Sequence, residues 1–120
     1  MCAHNDDRAV IYESDVPGQR IAKALALGDP VIRGDFEGLF VLEDRFFLVT
    51  SDGVVFESPK GDDEERLDYN LYVTGAGRLC EVEGLAANVE LTHLLLVCKT
   101  PRARELRAWV TLLAWSIDER

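Results

Sequence analysis

The chain lacks any apolar run that approaches the roughly 20 residues needed to span a bilayer as a helix. Its first residues, Met1 to Arg8, are polar and include two aspartates, so they do not resemble a secretory signal peptide. The three cysteines, Cys2, Cys80 and Cys98, are odd in number and show no CxxC spacing. This usage predicts free thiols in a reducing compartment, and we therefore expect a cytoplasmic protein.

Basic residues are also scarce. The chain has 13 lysines and arginines against 22 aspartates and glutamates, and its formal net charge is −9. Nucleic-acid phosphates and anionic lipid surfaces repel such a protein. Only Arg102, Arg104 and Arg107 cluster, which is too few to reverse that balance. We expect no nucleic-acid partner and no direct binding of membrane lipid.

Motifs of catalysis and of metal or cofactor binding are missing as well. His93 and Cys98 are five apart in one predicted strand, so they point to opposite faces and cannot form a nucleophile–base pair. The acidic run at 62–65 lacks the spacing of a calcium loop. Gly75 and Gly77 lead into a strand, which indicates a hairpin turn rather than a phosphate-binding loop. We predict no catalytic residue, no metal site and no cofactor.

A hydrophobic fraction of 48% in 120 residues is typical of one folded domain. Near the N-terminus, residues 9–12 form a β-like run. Pro17 then suits the first turn of a helix that extends to Leu27. A helix of only about three turns needs a surface to dock on. We therefore divide the chain into an N-terminal strand–helix extension, residues 1–29, packed on a main domain, residues 30–120.

From residue 31 onward, short β-branched or aromatic runs alternate with turn signals such as Asp52-Gly53. The predicted strands are residues 31–33, 39–42, 45–50, 54–57, 69–74, 78–83 and 91–98. We expect a three-stranded meander over residues 36–57. The strand at 91–98 is apolar at successive positions, so we expect both of its faces to be covered. The polar loop at 58–66 has no large apolar residue and should be mobile.

The C-terminal segment predicts a helix over residues 101–117, with Pro101 in its first turn. At about 100° per residue, its main apolar stripe consists of Leu106, Trp109, Val110, Leu113 and Ile117. Ala108, Leu112 and Trp115 form a second stripe. Our hypothesis is that the N-terminal segment covers it. The alternative is that Ala108, Leu112 and Trp115 bind a partner, since tryptophan is a preferred anchor at interfaces.

Seven strands and a closing helix with a tryptophan resemble the pleckstrin-homology (PH) family. Residues 39–56 are similar to the family's second to fourth strands, and residues 105–110 resemble its helix, with Trp109 at the family's tryptophan position. The resemblance implies an α+β fold: an antiparallel seven-stranded PH-like barrel or sandwich capped by a C-terminal helix. Phosphoinositide-binding members carry basic residues between the first two strands, whereas residues 33–38 have one arginine and two acids.

These observations favour a non-catalytic domain that acts through protein–protein contacts, as a scaffold or by forming a homo-oligomer. Two alternatives stay open. One is a small acidic chaperone for a secreted or partner protein, which would share the size and the sequence pI of about 4.6. The other is an enzyme whose cavity is built from barrel side chains.

Overall fold

The computed structural model describes residues 2–14, 21–61, 66–101 and 111–117. Within them the chain forms strands and one short 3-10 helix, with no α-helix. The elements are β1 (Cys2–His4), β2 (Val10–Ser14), β3 (Ile21–Leu27), β4 (Phe36–Leu42), β5 (Arg45–Thr50), β6 (Val54–Pro59), β7 (Arg66–Leu67), β8 (Asn70–Val73), the 3-10 helix Ala76–Arg78, β9 (Cys80–Ala87), β10 (His93–Pro101) and β11 (Thr111–Ser116). They make three sheets, in the strand orders β1-β2-β3-β7, β4-β5-β6-β8 and β11-β10-β9.

The predicted α+β fold with a C-terminal capping helix is wrong. Residues Thr111–Ser116 are strand β11, which pairs antiparallel with β10 from Cys98↔Thr111 to His93↔Ser116. Pro101 is the last residue of β10 rather than the first of a helix, and residues 102–110 of the predicted helix lie outside the described residues. Since the run TLLAWS is apolar at four successive positions, both a 3.6-residue and a two-residue period fit it. The partner strand decides between them.

The predicted N-terminal helix over residues 17–27 is also wrong where the structure describes it. Ile21–Leu27 is strand β3, antiparallel to β2; residues 15–20 lie outside the described part. Its three alanines favour a helix, but large residues alternate with them. Leu25 and Leu27 are buried, whereas Ala24 and Ala26 are only partly so. The pairing with β2 therefore overrides the local helix propensity.

The meander predicted over residues 36–57 is confirmed: β4, β5 and β6 pair antiparallel in sequence order. This central sheet has an apolar cluster on each face. Phe47 and Val49 of β5 belong to one cluster, and Phe46 and Leu48 belong to the other. Strand β5 is thus covered on both faces and paired on both edges.

The two outer sheets supply the rest of each cluster. The sheet β9-β10-β11 contributes Val82, Leu94 and Leu96 to the cluster of Phe47. The sheet β1-β2-β3-β7 contributes Ile11 and Leu25 to the cluster of Phe46. Most of this second sheet comes from the extension predicted at residues 1–29, and its fourth strand, β7, pairs parallel with β3. The division at residue 29 stays a prediction.

Three smaller expectations need correction. The strand predicted at 31–33 is reduced to a single bridge between Arg33 and Arg8. Strand β10 is not covered equally on both faces, because Leu94 and Leu96 are buried while Leu95 and Val97 are partly exposed. The loop expected at residues 58–66 begins later, since Ser58 and Pro59 belong to β6. Residues 62–65 of that loop lie outside the described part.

Cys80 and Cys98 form a disulfide bond with a Cα–Cα distance of 5.5 Å, so the prediction of free thiols is wrong for these two. The bond joins the neighbouring strands β9 and β10, which pair antiparallel. Cys2 remains a free, partly buried thiol. Burial, and next the carboxylate of Glu13, raise the pKa of Cys2 above its usual value. Both effects disfavour its reactive thiolate form.

The glycine pair at 75 and 77 does not form the predicted hairpin, because β8 and β9 belong to different sheets. The short 3-10 helix joins them, and a Cβ at Gly77 would overlap the backbone carbonyl of Asp52. This close approach requires glycine. The described residues contain no helix of a length and apolarity that would cross a bilayer.

Candidate functional site: the β8 edge and its pocket

Strand β8 ends the central sheet, with β6 as its only neighbour among the described strands. Its apolar residues alternate outward. Tyr69 is 40% exposed, Leu71 50% and Val73 72%, whereas Tyr72 on the opposite face packs against the cluster of Phe47. An exposed edge strand with an apolar face can pair with a strand of another chain. We call Leu71 and Val73, together with Tyr69 directly before the strand, the β8 stripe.

The backbone of β8 also has a defined outward side. The amide N of Thr74 donates to the carbonyl O of Gly53 at 3.3 Å, which extends the β6–β8 register beyond Val54↔Val73. In an antiparallel pair, hydrogen-bonded and non-hydrogen-bonded positions alternate. Tyr72 therefore shares the hydrogen-bonded side with Thr74, and the N–H and C=O groups of Leu71 and Val73 point away from β6. Two of the three stripe residues, Leu71 and Val73, therefore carry both the exposed apolar side chains and these outward groups.

A pocket of about 430 Å³ lies where β8 begins. The last register pair between β6 and β8 is Glu57↔Asn70, but β6 continues for two more residues, Ser58 and Pro59. The preceding chain instead forms β7 in another sheet, so a gap opens at the sheet edge. The residues that line it are Asp44, Arg45, Glu57, Ser58, Pro59, Asp68, Tyr69 and Asn70.

One wall of the pocket holds a pair of opposite charges. Arg45 Nη1 donates to Glu57 Oε2 at 2.8 Å, and the hydroxyl of Tyr72 donates to Glu57 Oε1 at 3.1 Å. Glu57 is only 5% exposed, so these bonds compensate a carboxylate that would otherwise be costly to bury. The Arg45 guanidinium also lies 5.5 Å from the centre of the Phe47 ring, a cation–π distance. This arrangement fixes one wall of the pocket.

Ser58 and Tyr69 also line the pocket, and neither side chain is fully engaged by the described fold. The Ser58 hydroxyl is buried and has no hydrogen-bond partner among the described residues. Such a group normally finds a partner, because an unsatisfied buried hydroxyl is destabilising. The Tyr69 ring packs edge-on against Phe56 at 5.6 Å between ring centres, while 40% of the residue stays exposed. Two of the residues that line the pocket thus carry a buried hydroxyl without a partner and a partly exposed aromatic ring.

The charge of the pocket is predominantly negative. Asp44, Glu57 and Asp68 supply three carboxylates against the one guanidinium of Arg45. Asp44 and Asp68 are exposed, in contrast to Glu57. In the parts of the chain that the structure describes, no group of three or more histidine, cysteine or acidic side chains is arranged to hold a metal ion. The arrangement suits hydrogen bonding to a cationic group.

Two of the three residues proposed from sequence for partner binding lie on one described strand, and their role in binding stays a prediction. Leu112 and Trp115 lie in β11, in register with Val97 and Leu94, and Ala108 lies outside the described residues. They were grouped by a helical period, whereas the backbone of residues 111–116 is a strand. The hypothesis that the N-terminal segment covers this stripe stays a prediction, although the described parts of both predicted helices are strands.

His93 and Cys98, which the sequence excluded as a nucleophile–base pair, lie in different surroundings. Cys98 lies in the buried cluster of Phe47 and is bonded to Cys80, whereas His93 is partly exposed and its Nδ1 is 2.9 Å from Thr92 Oγ1. Sequence reasoning missed the β8 edge, although it predicted a strand at 69–74. The alternation of Tyr69, Leu71 and Val73 was a visible signal, but sequence does not show which face of a strand stays open.

No family model matches the chain, and neither the curated proteins nor the solved structures include one with significant similarity to it. The resemblance to the PH family stays a prediction.

Proposed function

We propose that this protein is a binding module that captures an extended segment of another protein by adding it as a strand to β8. The observation that carries the proposal is the β8 stripe on an edge strand whose outward N–H and C=O groups lie beside it. In strand addition, the main chain of the ligand supplies hydrogen bonds and alternate side chains supply specificity. This refines the protein–protein interaction role expected from the sequence.

Charge supports a different protein, rather than a second copy, as the occupant. The chain carries a formal charge of −9, and the pocket beside β8 is itself negative. Two copies meeting at this edge would bring like charges together, which disfavours association. A segment with alternating apolar residues and positive charge would match both the stripe and the field around it.

A cytoplasmic location was expected from the cysteine pattern, but a disulfide such as Cys80–Cys98 is more typical of an oxidising compartment. The chaperone and enzyme alternatives stay predictions, and no described feature favours either over strand capture.

The test begins with a displayed library of random linear peptides selected on the wild-type protein. A selected peptide should slow amide hydrogen exchange at Leu71 and Val73, because both groups would become paired. Val73→Lys should weaken the peptide by about tenfold or more, since a lysine on an edge strand opposes strand addition. Affinity is measured by fluorescence polarisation of a labelled peptide.

Val89→Lys is the matched control, because Val89 is an equally small apolar residue, 95% exposed, in the loop between β9 and β10. It should leave affinity unchanged. Protection at amides outside β8, or equal losses in both variants, would contradict the proposal. So would a concentration-dependent dimer in light scattering that Val73→Lys abolishes, because a second copy would then occupy the edge.

A further inference from the structure

The pocket at the start of β8 lies on the path that an added strand would follow. Strands in a sheet are about 4.8 Å apart, so a segment paired with β8 runs alongside it and continues past Asn70. Beyond Asn70 there is no longer a β8 residue opposite β6, and the gap lined by Ser58 and Asp68 opens next to the path. A side chain of the bound segment at this point would enter the gap.

We propose that this pocket receives a lysine or arginine side chain of the captured segment, an inference that rests on the proposed function. Three groups support a cationic guest: the carboxylates of Asp44 and Asp68 and the unpartnered hydroxyl of Ser58. An ammonium or guanidinium group has only donors, and these groups supply acceptors. Tyr69 adds an aromatic surface, on which a cation is also favoured.

The Arg45–Glu57 pair decides which carboxylates of the pocket are available to a cationic guest. Both oxygens of Glu57 already accept hydrogen bonds, from Arg45 and from Tyr72. The guest therefore binds to Asp44, Asp68 and Ser58, and Glu57 holds the wall against which it packs. Ser58 is the most specific element, because its hydroxyl has no role in the described fold and gains a partner only when the pocket is filled.

The experiment compares each selected peptide with a version in which norleucine replaces its basic residue. Asp44→Asn/Asp68→Asn should weaken the basic peptide by about tenfold or more, because a hydrogen bond to a charged group is among the strong ones. The norleucine peptide should be unaffected. The matched control is Asp52→Asn/Glu83→Gln, which removes the same charge from two exposed residues outside the pocket.

Ser58→Ala separates a binding role from a structural one. It should weaken the basic peptide several-fold and leave the norleucine peptide unchanged, while the melting temperature stays the same or rises, because no bond of the described structure is lost. A lowered melting temperature with equal losses for both peptides would assign Ser58 to the fold and overturn the proposal.

The outcomes also separate this inference from the proposed function. If the selected peptides protect Leu71 and Val73 but contain no excess of lysine or arginine, strand capture stands and the basic pocket fails. Equal effects of the pocket variant and its charge-matched control would lead to the same conclusion, since only the overall charge would then matter. If no peptide protects β8, both proposals fail.

Discussion

Strands β5 and β8 belong to the same sheet and are rich in apolar residues, but they are placed in opposite ways. β5 is paired with β4 and β6, and its side chains from Phe46 to Val49 are at most 1% exposed. β8 is paired only with β6 among the described strands, and Leu71 and Val73 are at least half exposed. Burial makes the apolar residues of β5 necessary for stability. The fold does not bury those of β8, and under the proposed function this apolar face is the surface that binds the captured segment.

The sharpest test of this comparison substitutes one residue in each strand. Phe47→Ala should lower the free energy of unfolding by about 3–5 kcal/mol, because it leaves a cavity in a buried cluster. Leu71→Ala should lower it by less than about 1 kcal/mol, because half of that residue is already in water. Urea unfolding followed by tryptophan fluorescence measures both, and similar losses would show that β8 is not an open edge.

The outer sheet beside β5 depends in addition on a covalent link. Cys80→Ala/Cys98→Ala should lower the free energy of unfolding by about 3 kcal/mol, the value for a bridge that closes a loop of similar length. Intact mass before and after reduction and thiol labelling reports whether the bond is present in the purified protein. Three labelled cysteines without reduction would contradict it, and the original expectation of free thiols would be restored.

The ion pair between Arg45 and Glu57 lies where β5 and β6 line the pocket. Arg45→Met should cost about 2 kcal/mol, somewhat less than for a fully buried pair, because Arg45 is about a third exposed. The double variant Arg45→Met/Glu57→Gln should recover part of that loss, because it no longer leaves an uncompensated buried charge. Strictly additive losses in urea unfolding would show that the two residues are not coupled.

Some of the fold could be predicted because its signals are local. The β5–β6 turn at Asp52-Gly53 needs a residue at positive φ, and Gly53 has a φ of 78°. With alternation on either side, this predicts the meander. β3 and β11 could not be predicted in the same way. Their alanine-rich or continuous apolar segments fit two periods, and only hydrogen bonding to β2 and β10 selects the strand.

The candidate site was predictable only in part. The sequence indicates an acidic protein and a strand near Tyr69, but the pocket requires β6 to extend beyond β8 to Ser58. The region expected to be a loop contains that buried serine, which composition alone assigns to the surface. The sites proposed from sequence, Leu112 and Trp115, depended on a helix that the chain does not form there.

The amino-acid sequence by itself determined the acidic charge, the excess of strand-forming runs and the tight turns of the meander, because these depend on residue type or on neighbours along the chain. Only the tertiary structure decided that Cys80 meets Cys98, that β3 and β11 are strands and that β8 stays at the edge. Each of these depends on which distant segment supplies the hydrogen-bond partners. A strand is stabilised by groups outside itself, whereas a turn carries its own conformational requirement.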